Sequence, residues 1–350
     1  MNQVDALLQG DRLALARTLS QIENGTSESR SMLDVLFQHA GKAHIIGVTG
    51  PTGSGKSTLV NQLALAFRQP NGTNPPSRVA ILAVDPTSPF TGGAVLGDRV
   101  RMRDLSGDPG IFIRSVATRG TLGGLSMAAA EMVTAMDAAG FDVILVETVG
   151  VGQTEMEITR LAHTVLLVEN PGMGDDIQAI KAGILEIANV ICINKADRPG
   201  VEQTERALRE VLDMNSVNPS TGGSFHHFME DENQDAPPPT GSPAGWQVPI
   251  LQTIATTGEG ISQLVQSLRE HYTYLQNSGQ WKSNESKRLR RNLESLIREV
   301  LFQTWLSRMN PQEYDQALDR LFTRSVSPFH LAEELIASDF ASKTPSIHLK

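Results

Sequence analysis

Short, nearly unbroken apolar runs recur through the middle of the chain, separated by stretches whose apolar residues fall three and four positions apart. The runs at His44–Val48, Val79–Val84, Ile111–Val116, Phe141–Val146, Thr164–Val168, Val190–Ile193 and Pro249–Ile254 read as β-strands. A strand with one wet face alternates apolar and polar residues, and these do not. Both faces are therefore covered, which predicts a mainly parallel sheet between helical layers, an α/β fold.

Helical spacing governs both ends of the chain. Leu7, Leu8, Leu13, Leu15, Ala16 and Leu19, then Met32, Leu33, Val35 and Leu36, predict two helices joined near Asn24-Gly25. After Tyr272 the pattern is helical throughout. A basic start (Lys287, Arg288, Arg290, Arg291) leads into Leu293, Leu296, Ile297, Val300, Leu301 and Trp305 on one stripe. Two further helices, Pro311 to Phe322 and Pro328 to Ile336, each begin with a proline, which costs least in a first turn. The expected organisation is an N-terminal helical extension (1–40), an α/β domain (41–270) and a C-terminal helical region (271–350). Within the domain, residues 215–244 turn to Ser, Gly, Asn, Asp and the run Pro237-Pro238-Pro239. Such a composition buries too little apolar surface to offset the entropy of ordering, so a flexible insertion is expected.

Composition narrows the function classes. Thirty basic residues against 39 acidic ones leave a net charge of −9, which disfavours sequence-independent binding to nucleic acid or an anionic membrane. The single cysteine, Cys192, lies in an apolar run and reads as a small buried hydrophobe. The N-terminus lacks the basic start and apolar core of a signal peptide, and no run approaches the roughly 20 apolar residues of a membrane span, so a cytoplasmic protein is expected.

The chemistry concentrates at strand ends. Gly50-Pro51-Thr52-Gly53-Ser54-Gly55-Lys56-Ser57 follows the first strand and opens the helical run from Thr58, which is the context a phosphate-binding P-loop requires. Its glycines let the backbone wrap a triphosphate, and the helix N-terminus offers unpaired N–H groups and partial positive charge. Gly53, Ser54, Gly55, Lys56, Ser57 and Thr58 are the expected phosphate contacts. Lys56 is placed on the β/γ-phosphates and the Ser57 hydroxyl on Mg²⁺.

Asn194-Lys195-Ala196-Asp197 directly follows the strand Val190–Ile193 and matches the N-K-x-D guanine motif. A carboxylate at Asp197 accepts from both guanine N1–H and the 2-amino group, donors that adenine does not present together. Asn194 supports the loop and faces the other edge of the base, and the Lys195 stem lies over the ring. Glu147-Thr148-Val149-Gly150 stands where a γ-phosphate sensor belongs, its Gly150 N–H bonding a phosphate oxygen and being released on hydrolysis. Asp85, Asp98 and Glu147 join Ser57 as candidate oxygen ligands of magnesium, and Gln153 is a candidate for positioning water. Arg99, Arg101, Arg103 and Arg119 are unranked candidates for a charge-stabilising arginine.

Longer stretches extend the match. Ala83 to Gly93, Leu96 to Met102, and Glu147 to Gln153 resemble the MeaB/MMAA (ArgK) family of SIMIBI-class P-loop GTPases. The likeness runs from about Leu7 through Arg119–Gly124 and Pro171–Gln178 to Trp281 and beyond, with 215–244 the main stretch left out. It implies a GTPase chaperone using GTP/GDP and Mg²⁺ that gates cofactor loading into an adenosylcobalamin-dependent acyl-CoA mutase, such as methylmalonyl-CoA mutase, and protects or reactivates it. It further implies a catalytic set of Lys56, Asp85, Asp98 and Glu147, and puts Thr253, Ile254 and Ala255 in the place of a Ser-Ala guanine loop, with the Ala255 N–H left to meet the guanine oxygen. It implies as well a switch over Gly172 to Lys181, containing Asp175, Asp176 and Lys181, and a homodimer formed by the C-terminal helices. Two alternatives stay open from the residues. A nickel or cobalt metallochaperone GTPase would need imidazole or thiolate ligands, for which the chain offers Cys192 and His226-His227. A P-loop kinase would pass phosphate to an acceptor other than water.

Overall fold

The computed structural model describes residues 2–70, 75–86, 105, 107–118, 127–148, 158, 160–172, 182–217 and 245–341. Its centre is a seven-stranded, all-parallel sheet: β1 (His44–Thr49), β2 (Val79–Pro86), β3 (Ile111–Thr118), β4 (Val143–Glu147), β5 (Thr164–Glu169), β6 (Val190–Asn194) and β7 (Ile250–Thr253), in the order β3-β2-β4-β1-β5-β6-β7. Every predicted strand is present. The fourth begins at Val143 rather than Phe141, because Asp142 is held in the preceding turn, its carboxylate accepting from the Arg78 N–H at 2.7 Å.

Both faces are covered, as the unbroken apolarity requires. Ile45, Ala80, Leu82, Ile144 and Val146 point to one side, and Ile46, Val48, Val79, Ile81, Val143 and Leu145 to the other. The first side is sealed by α1 (Gln3–Leu8), α2 (Arg12–Glu23), α3 (Ser27–Phe37) and α5 (Met127–Ala138), the second by α4 (Lys56–Phe67) and α8 (Ile261–Asn277). A smaller core of Leu167, Ile191, Ile193 and Leu208 lies under α6 (Ala182–Ile187) and α7 (Val201–Val217).

The N-terminal extension departs from the two predicted helices. It forms three, because Gly10 adopts φ +85° and Asp11 caps the next helix by accepting from the Ala14 N–H at 2.8 Å. The periodicity of Leu7, Leu15 and Leu19 runs across this break, so spacing alone does not reveal it.

The chain divides into two compact units, residues 1–289 and 290–350. The boundary falls inside one continuous helix, α9 (Gln280–Arg308). The second unit consists of the rest of α9 with α10 (Pro311–Phe322) and α11 (Pro328–Ala341). Pro311 stands in the first turn of α10 behind the Asn310 cap, and Arg320 pairs with Glu334 at 2.8 Å to join α10 to α11.

At the N-terminal edge of the sheet, the first unit carries a buried histidine network. His44 Nε2 lies 2.6 Å from Thr164 Oγ1, and the same hydroxyl lies 2.8 Å from His271 Nδ1. His163 accepts the Ile45 N–H on Nδ1 at 3.1 Å. Its neutral ring therefore carries the proton on Nε2 and donates it to Glu285 Oε2 at 3.2 Å. Glu285 is held in turn by both arms of Arg288 at 2.7 and 2.8 Å, and Trp281 lies against His163 with ring centroids 4.0 Å apart. These contacts fasten the first turns of α9 to the strand starts. Burial lowers the pKa of all three histidines, taking His271 to about 4, so the network is neutral at ordinary pH.

Candidate nucleotide site

Because all seven strands run the same way, the C-terminal ends of β1, β2, β4, β5, β6 and β7 lie at one sheet edge, where α/β proteins place ligands. The P-loop leaves the central strand β1, whose neighbours are β4 and β5. Its first glycine has no alternative. Gly50 has φ +140°, and a Cβ there would stand 2.1 Å from the Val168 carbonyl oxygen of β5. Gly55, the N-cap of α4, has φ +92°, and a Cβ there would meet Asn194 Nδ2 at 2.5 Å. Both glycines are conformational requirements of a loop pressed against its neighbours.

Lys56 is buried and turned back over the loop, donating to the Gly50 carbonyl at 2.8 Å and the Pro51 carbonyl at 2.9 Å. These two bonds fix its position across the mouth of the loop. Ser57 donates to Glu147 Oε1 at 2.6 Å. This contact joins the first turn of α4 to the end of β4, and Glu147 is itself buried. Asp85 lies two positions past Ala83, the β2 residue in register with Glu147. The expected hydroxyl and carboxylate donors thus come from adjacent elements, and an all-oxygen set of this kind suits a hard divalent cation.

Asn194 connects the phosphate and base regions. Its Nδ2 donates to the Ser54 carbonyl at 2.9 Å, and its Oδ1 accepts from the Ala255 N–H at 3.1 Å and the Thr253 hydroxyl at 3.2 Å. Lys195, in a left-handed conformation with φ +60°, reaches from the same turn to the Gly53 carbonyl. Two consecutive side chains of the N-K-x-D segment therefore grip consecutive carbonyls of the P-loop. Asp197, two residues on, is exposed, as are Gly53 and Thr58.

The Ala255 N–H points to Asn194 Oδ1, because β7 ends beside β6 with Asn194 and Thr253 in register. Ile254 is occupied in an isolated bridge to Glu259, closed by Gly260 at φ +76°. Cys192 is also more than a buried hydrophobe. Its Sγ lies 3.0 Å from Thr253 Oγ1, and burial pushes the thiol up to about 12. Sequence reading missed this contact, because Cys192 and Thr253 lie 61 positions apart and are not register partners: Cys192 pairs with Leu251 and Thr253 with Asn194.

Several expected residues lie outside the described ones: Asp98, Gly150, Gln153, Asp175, Asp176, Lys181, the four arginines and His226-His227, together with the Asp85 side chain. Among the described residues no group of histidine, cysteine and acidic side chains is arranged to hold a metal ion by itself. Among them, too, no helix is long and apolar enough to cross a membrane.

Comparison with known proteins agrees with this geometry. Residues 15–310 match the family model described as methylmalonyl Co-A mutase-associated GTPase MeaB. The chain is 38% identical to a Pyrococcus abyssi protein named as a candidate GTPase, over 95% of this chain and 94% of the relative. It is 34% identical to the Escherichia coli GTPase ArgK, over 78% of this chain and 76% of that protein. The mitochondrial methylmalonic aciduria type A homolog of Mus musculus is 28% identical over 94% of this chain and 77% of its own length. Among solved structures, one described as an LAO/AO transport system kinase superposes with a TM-score of 0.62 at 25% identity, covering 97% of each chain.

Proposed function

The chain belongs to the MeaB family of GTPases, and from that premise we propose that it serves as a GTP-driven chaperone of an adenosylcobalamin-dependent acyl-CoA mutase. In this reading GTP binding and hydrolysis gate the loading of the mutase cofactor and protect or reactivate the mutase. The family description and the name of the mouse relative support a partner of the methylmalonyl-CoA mutase kind.

The observation that carries the nucleotide part is the Asn194 bridge, which ties the phosphate loop to the base loop through one buried carboxamide. Lys56, already fixed by two carbonyls, supplies positive charge where the β/γ-phosphates lie, and the N–H groups opening α4 add to it. Asp197 reads the N1–H and 2-amino edge of guanine, which adenine lacks. Ser57, Glu147, Asp85 and Asp98 are the residues that would hold Mg²⁺, whose charge neutralises developing negative charge on the transferred phosphoryl group when it is bound. Glu147 holds the Ser57 hydroxyl in place and stands at the end of β4, from which the γ-phosphate-sensing segment leaves. The switches implied by the resemblance, around Gln153 and at Asp175, Asp176 and Lys181, would report the nucleotide state to the mutase.

The C-terminal unit is proposed as a homodimerisation arm. Leu293, Ile297, Val300 and Leu301 form a stripe of exposed apolar residues along α9, and Phe322 and Phe329 are 90% and 76% exposed. A stripe of this kind left in water favours covering by a partner surface. Calorimetry tests the nucleotide reading: with Mg²⁺, GDP and GTP release heat and ATP does not. Heat from ATP alone would refute it. Co-purification of an acyl-CoA mutase that depends on a GTP analogue tests the partner, and equal recovery with and without nucleotide would count against gating.

A further inference from the structure

A cavity of about 370 Å³ lies under the N-terminal extension, and its residues belong to none of the segments assigned to the nucleotide. Gln3 of α1, Ala16, Arg17, Ser20 and Gln21 of α2, and Arg114 of the edge strand β3 line it. Its size falls within the roughly 300–1,000 Å³ of small-molecule sites. The four α2 residues share one helical face, since Ala16 and Arg17 stand one turn before Ser20 and Gln21. Arg114 shares its strand face with Phe112 and Val116, which pack in the core beneath the extension. A guanidinium group therefore stands where the strand pattern calls for an apolar residue.

The hydrogen-bond inventory of this lining is weighted toward donors. Gln3 Nε2 donates to Thr18 Oγ1 at 2.9 Å and to Gln21 Oε1 at 2.8 Å, which occupies the Gln21 oxygen and leaves its amide N–H groups as donors. Arg114 Nη2 donates to Glu23, whereas its Nε is buried without an acceptor. Arg17 is exposed and has no hydrogen bond or ion pair among the described residues. Glu23 balances Arg114, so the Arg17 charge is left over in a chain whose net charge is −9. Two acceptors remain: Gln3 Oε1, and the oxygen of Ser20, whose proton goes to the Ala16 carbonyl at 3.0 Å.

We propose that this cavity binds a small hydroxylated organic anion, with its carboxylate or phosphate oxygens held by Arg17 and Arg114 and its hydroxyl by Gln3 and Ser20. Guanidinium groups match the oxygens of carboxylate and phosphate alike, and the amide donors of Gln21 add to them. The anion supplies the acceptor that Arg114 Nε lacks and the negative charge that Arg17 lacks. Once bound, it ties α1 and α2 to β3 and so fastens the N-terminal extension to the edge of the sheet.

The test titrates malate and glycerol 3-phosphate into the full chain by calorimetry, with Mg²⁺ and GDP in excess to occupy the P-loop. At least one probe binds at one site per chain, and the tighter of the two identifies carboxylate or phosphate as the preferred group. Arg17→Gln, at an exposed position with no partner to lose, weakens that binding about ten-fold, the worth of a hydrogen bond to a charged group. Arg206→Gln removes the same charge from the exposed face of α7 and leaves binding unchanged. The Nε–H resonance of Arg114, identified by its loss in Arg114→Lys, moves when the probe is added. Equal weakening by Arg17→Gln and Arg206→Gln would reduce the effect to general surface charge and overturn the proposal. So would absence of binding by both probes, or binding that leaves the Arg114 resonance in place.

Discussion

Glu285→Gln isolates the electrostatic part of the clasp that holds the start of α9. Two groups meet at Glu285: His163 donates to it and Arg288 embraces it. Burial raises the carboxyl pKa as the largest single effect, and the hydrogen bonds and charges of His163 and Arg288 together outweigh it, leaving Glu285 at about 2 against an ordinary value of 4.5. Fully expressed, that gap would be about 3 kcal/mol. With a fifth of the side chain exposed, solvent screening reduces a realistic figure to about 1–2 kcal/mol.

The sign follows from linkage. Because the folded pKa lies below the unfolded one, the stabilisation is complete above pH 4.5 and is lost as pH falls toward 2. His163 contributes in a different window. Its folded pKa is lowered by burial, so its share is complete above 6.5 and declines as acid protonates the unfolded ring, and loss of Glu285 lowers that folded pKa further. Urea unfolding followed by tryptophan fluorescence from pH 3 to 7 should place Glu285→Gln about 1–2 kcal/mol below the unaltered protein near neutrality. The difference should widen as pH falls from 6.5, where His163 of the variant resists protonation more, and lose the carboxylate's share below pH 4.5. A constant offset across the whole range would show that the carboxylate charge contributes nothing and that only packing changed.

Three further outcomes follow from the site. Gly55→Ala forces a methyl group onto Asn194 Nδ2 at a left-handed position, so nucleotide affinity measured by calorimetry should drop at least ten-fold, with unchanged binding refuting the contact. Lys56→Ala should abolish tight binding of the triphosphate, whereas Glu147→Ala should keep more binding than turnover; equal losses in a paired binding and phosphate-release assay would remove the proposed role of Glu147. Asp197→Asn should shift preference from GTP toward xanthosine triphosphate, because the exocyclic group becomes an acceptor needing a donor, and competition binding with an unaltered preference would show the base contact is wrong.

The strands were legible because the five inner ones, β1, β2, β4, β5 and β6, are buried on both faces, which leaves a continuous apolar signal that the edge strands β3 and β7 share in weaker form. The break after Leu8 was not, since one glycine and one capping aspartate interrupt a hydrophobic spacing that continues on the far side. In the site, Gly50, Gly55 and Lys56 were singled out by the P-loop pattern, and each is in close contact with its neighbours in the fold. The partners of Asn194 were only partly readable. The Ala255 N–H was assigned to the base, yet it turns to Asn194 because two parallel strands end side by side, a register fixed by neighbours roughly 60 positions away. The histidine network left no trace at all. His44, His163 and His271 are isolated in sequence, and only the sheet order brings them within reach of Thr164 and Glu285.

The buried thiol of Cys192 carries a practical benefit. It is the only cysteine in the chain, it is fully enclosed, and its pKa of about 12 leaves almost no thiolate at neutral pH. A cysteine introduced at an exposed position such as Met214 or Phe322 would then be the sole site that maleimide dyes or spin labels modify. Distances between labelled positions could be followed through the nucleotide cycle in the native background, with no cysteine-free variant to build first.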